Sequence, residues 1–278
     1  MFNFHVYIRL IIVACIFMCN FLFAHGVKHD RVHQLSHQIS KSPNNPQLYI
    51  KRGRVYQDSE EYVLAMQDYQ QALKLDNNFH EALYWQGYIY SVQGQLELAE
   101  KQLLNYLKQQ PDSPAGHRTL AKVYEQKNQL NLSIRHFDQA IDVDKKTPPQ
   151  VYLERTRVQL KIKPLPIVQI EQGLNQAIKN FGAIVTIIEL MVESYQHAQQ
   201  WHKISDAIAL LPKSLQQSPQ WLYKKAFAYQ MMNHNRQAKQ TFIQVQQQIE
   251  RLPEHRKNNP AFQQLWRQTN SQLKQLHE

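Results

Sequence analysis

The chain has very little cysteine. It holds 2 cysteines in 278 residues, Cys15 and Cys19, and both lie in an apolar segment near the N-terminus. If that segment is removed, disulfide bonds, thiol catalysis and cysteine-based zinc sites are excluded from the remaining chain. Glycine is also scarce, with 7 residues, and no stretch alternates apolar and polar residues over the length of a strand. These absences predict an all-α protein.

Motifs that carry catalytic chemistry are missing as well. The sequence has no glycine-rich phosphate loop, no His-Glu-x-x-His and no Gly-x-Ser-x-Gly. Glu189 and Glu193 share a helix face and resemble an acid/base pair, but a solvated acidic face in an otherwise basic protein is by far the better interpretation. We therefore expect no enzyme activity and no organic cofactor.

The charge is strongly positive without forming a concentrated basic patch. The net charge is +10 and the pI is about 9.5. Such values are found in many proteins that bind nucleic acid. Lysine and arginine are nevertheless scattered, and the longest basic runs are pairs such as Lys145-Lys146 and Lys224-Lys225. We therefore expect no nucleic-acid partner.

Residues 1–24 have the pattern of an export signal. Arg9 is their one charged residue, and an apolar run from Leu10 to Ala24 follows, broken only by Asn20. This pattern predicts a signal peptide cut after Ala24 and an exported, periplasmic or envelope-associated protein. The alternative is an uncleaved anchor, although the run is shorter than the roughly 20 residues of a spanning helix. A membrane contact is expected only in that second case.

From Asn45 to Lys145 one pattern of about 34 residues recurs. Small residues fall at the same place in each copy, and large apolar residues stand at fixed distances from them. A repeat of this length predicts stacked helical hairpins, in which the small residues let two helices approach closely. The equivalent sets are Gly53, Gly87 and Ala121; Tyr56, Tyr90 and Tyr124; Ala65, Ala99 and Ser133; and Tyr69, Leu103 and Phe137.

These residues resemble the tetratricopeptide repeat. The resemblance covers about six copies, roughly residues 45–253, and implies an α-solenoid. Residues 25–44 are expected to form a leading helix, and residues 254–278 a C-terminal capping helix. Arg155 and Val192 stand where a small residue belongs, so we expect wider helix pairs in the fourth and fifth copies. The predicted copies start near Pro46, His80, Pro114, Pro148, Val185 and Pro219.

Capping residues precede proline at several of these starts. A side-chain oxygen there accepts a hydrogen bond from a free backbone N–H, and proline at the first helical position lacks an N–H that the helix could not use. The predicted caps are Asn45, Ser113, Thr147 and Ser218.

The resemblance also implies a binding surface. In such repeats the first helix of each hairpin lines a concave groove, and the fifth and ninth residues of each copy face it. Tyrosine and arginine are favourable there because they combine contact area with a polar tip, and Arg118 with Lys122 could hold a carboxylate. The predicted function is therefore a scaffold that binds a protein or peptide. The predicted groove residues are Ile50, Arg54, Tyr84, Tyr88, Arg118, Lys122, Tyr152, Thr156, Glu189, Glu193, Tyr223 and Phe227.

A second functional hypothesis comes from His25, His29, His33 and His37. Their spacing of four puts them on one helix face, where neighbouring histidines can bind copper, zinc or nickel. A cut after Ala24 would also free the amino group of His25. The alternative function is thus a periplasmic metal-binding protein, whereas a solvated polar face is the simpler interpretation.

Overall fold

A computed structural model of the chain describes residues 29–143 and 147–276, and all regular structure in those ranges is helical. The all-α prediction is therefore confirmed. The helices are α1 (residues 29–41), α2 (Pro46–Asp58), α3 (Tyr62–Leu75), α4 (His80–Val92), α5 (Leu96–Gln109), α6 (Pro114–Gln126), α7 (Leu130–Val143), α8 (Pro149–Gln159), α9 (Ile167–Phe181), α10 (Val185–His197), α11 (His202–Ala209), α12 (Lys213–Gln216), α13 (Pro219–Met231), α14 (Asn235–Glu250), α15 (Glu254–Lys257) and α16 (Pro260–Gln275).

The chain divides into two compact units between Gln129 and Leu130. In unit 1, α2 pairs with α3, α4 pairs with α5, and α6 packs on α5. In unit 2 the pairs are α8 with α9, α10 with α11 and α13 with α14, and α16 packs on α14. These pairs agree with the first, second, fourth, fifth and sixth predicted hairpins.

Glycine lets the helices of the first two hairpins come into close contact. A Cβ atom on Gly53 would lie 2.5 Å from Cε1 of Tyr69, and one on Gly87 would lie 2.7 Å from Cγ of Leu103. Real Cβ atoms do not tolerate such distances, so any larger residue would push the second helix away. The predicted close approach at these positions is confirmed.

The fourth copy meets the same requirement in a different way. Arg155 of α8 occupies the small-residue position, and Gly173 of α9 lies against its guanidinium, where a Cβ atom would be 2.6 Å from Nη1. Nε of Arg155 also lies 2.7 Å from Oδ1 of Asp138 in α7. The space that a small residue would leave on the first helix is supplied by the second.

The turn inside most hairpins contains a residue in the left-handed region. Gly94 has a φ of 73°, and non-glycine residues take similar values at the equivalent places. The next residue donates a backbone hydrogen bond to the carbonyl of a tyrosine five positions before it, as from Gln95 to Tyr90 at 2.9 Å. This C-terminal cap satisfies an end carbonyl of the first helix. The other left-handed residues are Glu60, Asn128, Gln199 and Asn233.

Two of the four predicted caps are present. Asn45 accepts from the N–H of Gln47, and Ser113 accepts from the N–H of Gly116. Ser218 makes no capping bond. Thr147 was expected to cap a helix at Pro148, which is wrong: the helix begins at Pro149, and the Thr147 hydroxyl donates to the Ala140 carbonyl at 2.8 Å.

Helices at both ends pack on the repeats. In α1, Leu35 and Ile39 are buried, and Arg52 of α2 donates to the Ser36 hydroxyl at 2.9 Å. In α16, Phe262 and Leu273 are buried against α13 and α14. Each terminal helix covers an apolar surface that a last repeat would otherwise expose.

Candidate functional site

The first helices of unit 1 lie side by side. Between α2 and α4, the Gln47 amide donates to Glu81 at 3.2 Å. Between α4 and α6, the hydroxyls of Tyr84 and Thr119 lie 3.3 Å apart. Since these contacts join nearly equivalent positions, the three helices present a continuous surface, which we call the first-helix face of unit 1.

Four of the predicted groove residues reach the surface of this face. Arg54 is exposed, while Tyr88, Arg118 and Lys122 are half-buried. The face therefore combines three cations with a tyrosine.

Other predicted residues on the same helices are structural. Ile50 is buried with an exposed fraction of 1%. Tyr84 packs against the core around Leu103 and Leu120, with its ring 5.2 Å from that of Tyr106. Burial raises the pKa of Tyr84. Tyr84 is half-buried and its hydroxyl is already bonded to Thr119, so its main role is packing within the face.

In unit 2 the predicted residues are not all accessible. Tyr152 has an exposed fraction of 1% and Thr156 of 2%, and the Asn180 amide donates to the Tyr152 hydroxyl at 3.2 Å. Contrary to the expectation for a groove residue, Tyr152 is thus enclosed by its own repeat. Glu189 and Glu193 on α10 are exposed.

Tyr223 and Phe227 form an aromatic cluster on α13. Their rings stack with centroids 6.5 Å apart, and the edge contact of Phe227 with Trp201 spans 5.8 Å. Tyr223 also packs on Phe242, 5.5 Å away. Both predicted residues remain half-buried, so they contribute to the core and to the surface at once.

Sequence reasoning missed Trp85, which is central to the first-helix face. Its ring lies 4.8 Å from Tyr84 and 6.0 Å from Tyr88, and the Arg54 guanidinium sits 4.7 Å above it. The indole Nε1 is buried and has no hydrogen-bond partner among the described residues. Trp85 is the sixth residue of the second copy, directly after the predicted groove position Tyr84. Thr119 is the sixth residue of the third copy, and like Trp85 it contacts the first helix of the copy before it.

The histidine prediction is only partly covered by the described residues. His29, His33 and His37 are exposed along α1, on the side away from buried Leu35. His25 lies outside the described residues. Within the described ranges, no group of three or more histidine, cysteine, aspartate or glutamate side chains is placed to hold a metal ion. Metal binding stays a prediction.

The N-terminal segment, residues 1–24, also lies outside the described residues, so the choice between signal peptide and anchor stays open. Among the described helices, none is both long and apolar enough to cross a membrane.

Comparison with known families identifies the repeat. Residues 56–123 match a family model described as tetratricopeptide repeat. A human protein, tetratricopeptide repeat protein 13, is 31% identical over 99 residues, which is 36% of this chain. The match spans only 11% of that relative's own length.

Solved structures with the same repeat resemble the fold. The C-terminal part of a TPR repeat-containing protein from Cytophaga hutchinsonii has a TM-score of 0.62 at 16% identity, covering 81% of this chain and 92% of that one. PilF of Pseudomonas aeruginosa has a TM-score of 0.54 at 18% identity, covering 77% and 94%. YrrB, a TPR protein with an unusual peptide-binding site, has a TM-score of 0.53 at 13% identity, covering 73% and 95%. At these identities the likeness concerns the fold alone.

Proposed function

We propose, from the premise that this chain is a tetratricopeptide-repeat protein, that it is a non-enzymatic scaffold of the bacterial envelope. In this proposal its partner is a protein or peptide segment that binds along the first-helix face of unit 1. Proteins of this repeat family are generally non-catalytic scaffolds. The resemblance to YrrB adds support, because that protein is described by its peptide-binding site.

The observation that carries the proposal is the cluster of Arg54, Trp85 and Tyr88. Arginine, tryptophan and tyrosine are the residue types that most often dominate binding energy at interfaces. Here the exposed Arg54 guanidinium is held 4.7 Å over the Trp85 ring, and Tyr88 meets the edge of that ring. A partner would therefore meet a preorganised site, which lowers the entropic cost of binding.

The charge of the face indicates the chemistry of the partner. Arg54 lies on α2, while Arg118 and Lys122 lie one turn apart on α6, and α4 stands between these two helices. Cations in such an arrangement favour a segment with carboxylates at intervals, because charge-assisted hydrogen bonds are stronger than neutral ones. We therefore propose an acidic segment with at least one apolar or aromatic side chain for the Trp85 region.

The envelope location rests on the sequence of residues 1–24, which has the charge and apolar pattern of an export signal. A fusion of this segment to a reporter that is active only after export tests it. Reporter activity is expected with the native segment and lost when Leu10 to Phe17 is deleted.

The binding experiment compares two variants with the same change in charge. The face variant carries Arg54→Ala, Tyr88→Ala, Arg118→Ala and Lys122→Ala. The control removes three cations and one neutral residue that are exposed on the second helices of unit 1: Gln70→Ala, Lys74→Ala, Lys101→Ala and Lys108→Ala.

Crosslinked partners are captured from envelope fractions with each protein, and helicity is checked by circular dichroism. Wild type and control should retain the same partner, and the face variant should lose it. Equal capture by a folded face variant would contradict the assignment of the binding face. A wild-type protein that captures no partner would contradict the scaffold function itself.

A further inference from the structure

The last helix of unit 2 forms one wall of a cavity of about 370 Å³. Its apolar surface comes from Ile249 at the end of α14 and from Phe262 and Trp266 on α16. Ile249 and Phe262 are largely buried, with exposed fractions of 5% and 9%, so they form the floor. Trp266 is half-buried and forms the side.

Two of the four polar residues that line the cavity are cations. Lys257 of α15 and Arg267 of α16 line it, with Glu250 as the one acid of the lining. The Lys257 ammonium is already paired with Glu254 at 2.9 Å. Arg267 is exposed and takes part in no ion pair or hydrogen bond with another described residue. Its guanidinium is therefore available to a ligand.

This combination is typical of a small-molecule site. Such sites have volumes of roughly 300–1,000 Å³, predominantly apolar and aromatic walls, and a few polar groups that orient the ligand. The apolar floor of the cavity favours a ligand with an apolar chain or ring. A guanidinium at the opening selects an anionic group, and it matches a carboxylate in bidentate geometry.

We propose that the cavity between α14 and α16 binds a small amphipathic acid, an apolar chain or ring that carries one carboxylate. The apolar part lies on Ile249, Phe262 and Trp266, and the carboxylate pairs with Arg267 near Lys257. This site belongs to unit 2 and does not depend on the partner proposed for the first-helix face of unit 1. The C-terminal helix then has a binding role in addition to covering the last repeat.

The probes are octanoate and octanamide, which share an alkyl chain and differ in the charge of the head group. Isothermal titration calorimetry of the full-length chain should give a dissociation constant for octanoate on the order of 0.1 mM. Octanamide should bind at least about tenfold more weakly, because it cannot form the charge-assisted pair.

Three variants test the geometry without disturbing buried residues. Arg267→Gln should remove the preference for octanoate over octanamide. Gln263→Trp, at an exposed position of the lining, should fill the cavity and weaken both probes. Glu250→Gln should strengthen octanoate binding severalfold, because it removes a like charge from the opening.

The control is Arg236→Gln, an exposed cation at the other end of α14, which should leave both affinities unchanged. The proposal is overturned if wild type binds neither probe, or binds both equally. It is overturned as well if Gln263→Trp dissociates a dimer of the wild-type chain, since a second copy would then occupy the cavity. Binding of an acidic, leucine-rich peptide without binding of octanoate would also reject it.

Discussion

The close helix contact at Gly87 sets the geometry of the second hairpin. A Cβ there would collide with Cγ of Leu103 at 2.7 Å and would lie in tight contact with its backbone nitrogen at 3.3 Å, so the movable end of the side chain alone could not relieve the clash. Ala99 on the same facing helix is fully buried. We conclude that position 87 accepts only glycine without a shift of α5.

The substitution Gly87→Val tests this contact. It should lower the free energy of unfolding by about 2–3 kcal/mol, through overpacking and a branched side chain in a helix. The exposed substitution Lys101→Val in α5 should change it by less than about 1 kcal/mol. Urea denaturation of the two variants gives the comparison, and equal stabilities would disprove the packing argument.

The pKa of Tyr124 is raised because the side chain is enclosed between two repeats. Its hydroxyl donates to Glu100 at 3.0 Å, and Lys127 pairs with the same carboxylate. Burial, followed by the bond to Glu100, raises the pKa of Tyr124 from 10.0 to about 12. Tyr195, Glu171 and Lys203 repeat this network in unit 2.

The raised pKa predicts a loss of stability at high pH. Because the folded state holds the Tyr124 proton more tightly than the unfolded state, the stabilisation is complete below pH 10 and disappears as the pH rises to about 12. Tyr124→Phe should be less stable than wild type at pH 8 but lose less stability across that interval. Urea titrations at several pH values measure this, and parallel curves for the two proteins would contradict the network's role.

Not every residue-scale feature could be read from the sequence. Small residues at Gly53 and Gly87 predict close packing because their spacing is that of the repeat. The pairing of Arg155 with Gly173 was not predicted, since the compensating glycine stands on the other helix. Helical spacing also places Tyr152 on a face without revealing how far its neighbours cover it.

At the scale of the helix, the serines that precede a helix-starting proline differ in whether they form an N-cap hydrogen bond. Ser113 accepts a hydrogen bond from Gly116 at 3.2 Å and also bonds the Tyr106 hydroxyl. Ser218 occupies the same place before a proline but makes no capping bond. The two serines therefore form a matched pair in which only one contributes a cap.

Replacing each serine by alanine tests the value of that bond. Ser113→Ala should cost about 1 kcal/mol, typical of a lost N-cap, with a further loss from the Tyr106 bond. Ser218→Ala should cost less than about 0.5 kcal/mol. Thermal or urea unfolding would measure both, and a larger loss at Ser218 would refute the assignment.

The failed cap at Thr147 has a simple physical cause. Pro148 stands directly before Pro149, a position that disfavours the helical region, and its ψ of 149° is accordingly extended. The helix therefore begins one residue later than predicted, and the Thr147 hydroxyl turns to the Ala140 carbonyl. A proline before a helix is thus a good start signal, whereas two in succession shift the start.

At the scale of the molecule, the repeat pattern allows the fold to be predicted from the sequence but does not identify the partner. Each hairpin is specified by local spacing that the sequence shows directly, and α1 and α16 follow from the need to cover the end repeats. The binding face depends on contacts between successive first helices. Trp85 has no special spacing in the sequence, and only its contacts with Arg54 and Tyr88 mark it as central.

The most direct test of the binding face is site-specific photo-crosslinking in cells. A photo-reactive amino acid is placed at Arg54 or Lys122 on the face, and at Lys74 or Lys101 on the exposed second helices of the same unit. Our account predicts that the two face positions crosslink to one common partner and that the two control positions do not. Crosslinks to that partner from Lys74 or Lys101, with none from Arg54 and Lys122, would contradict it.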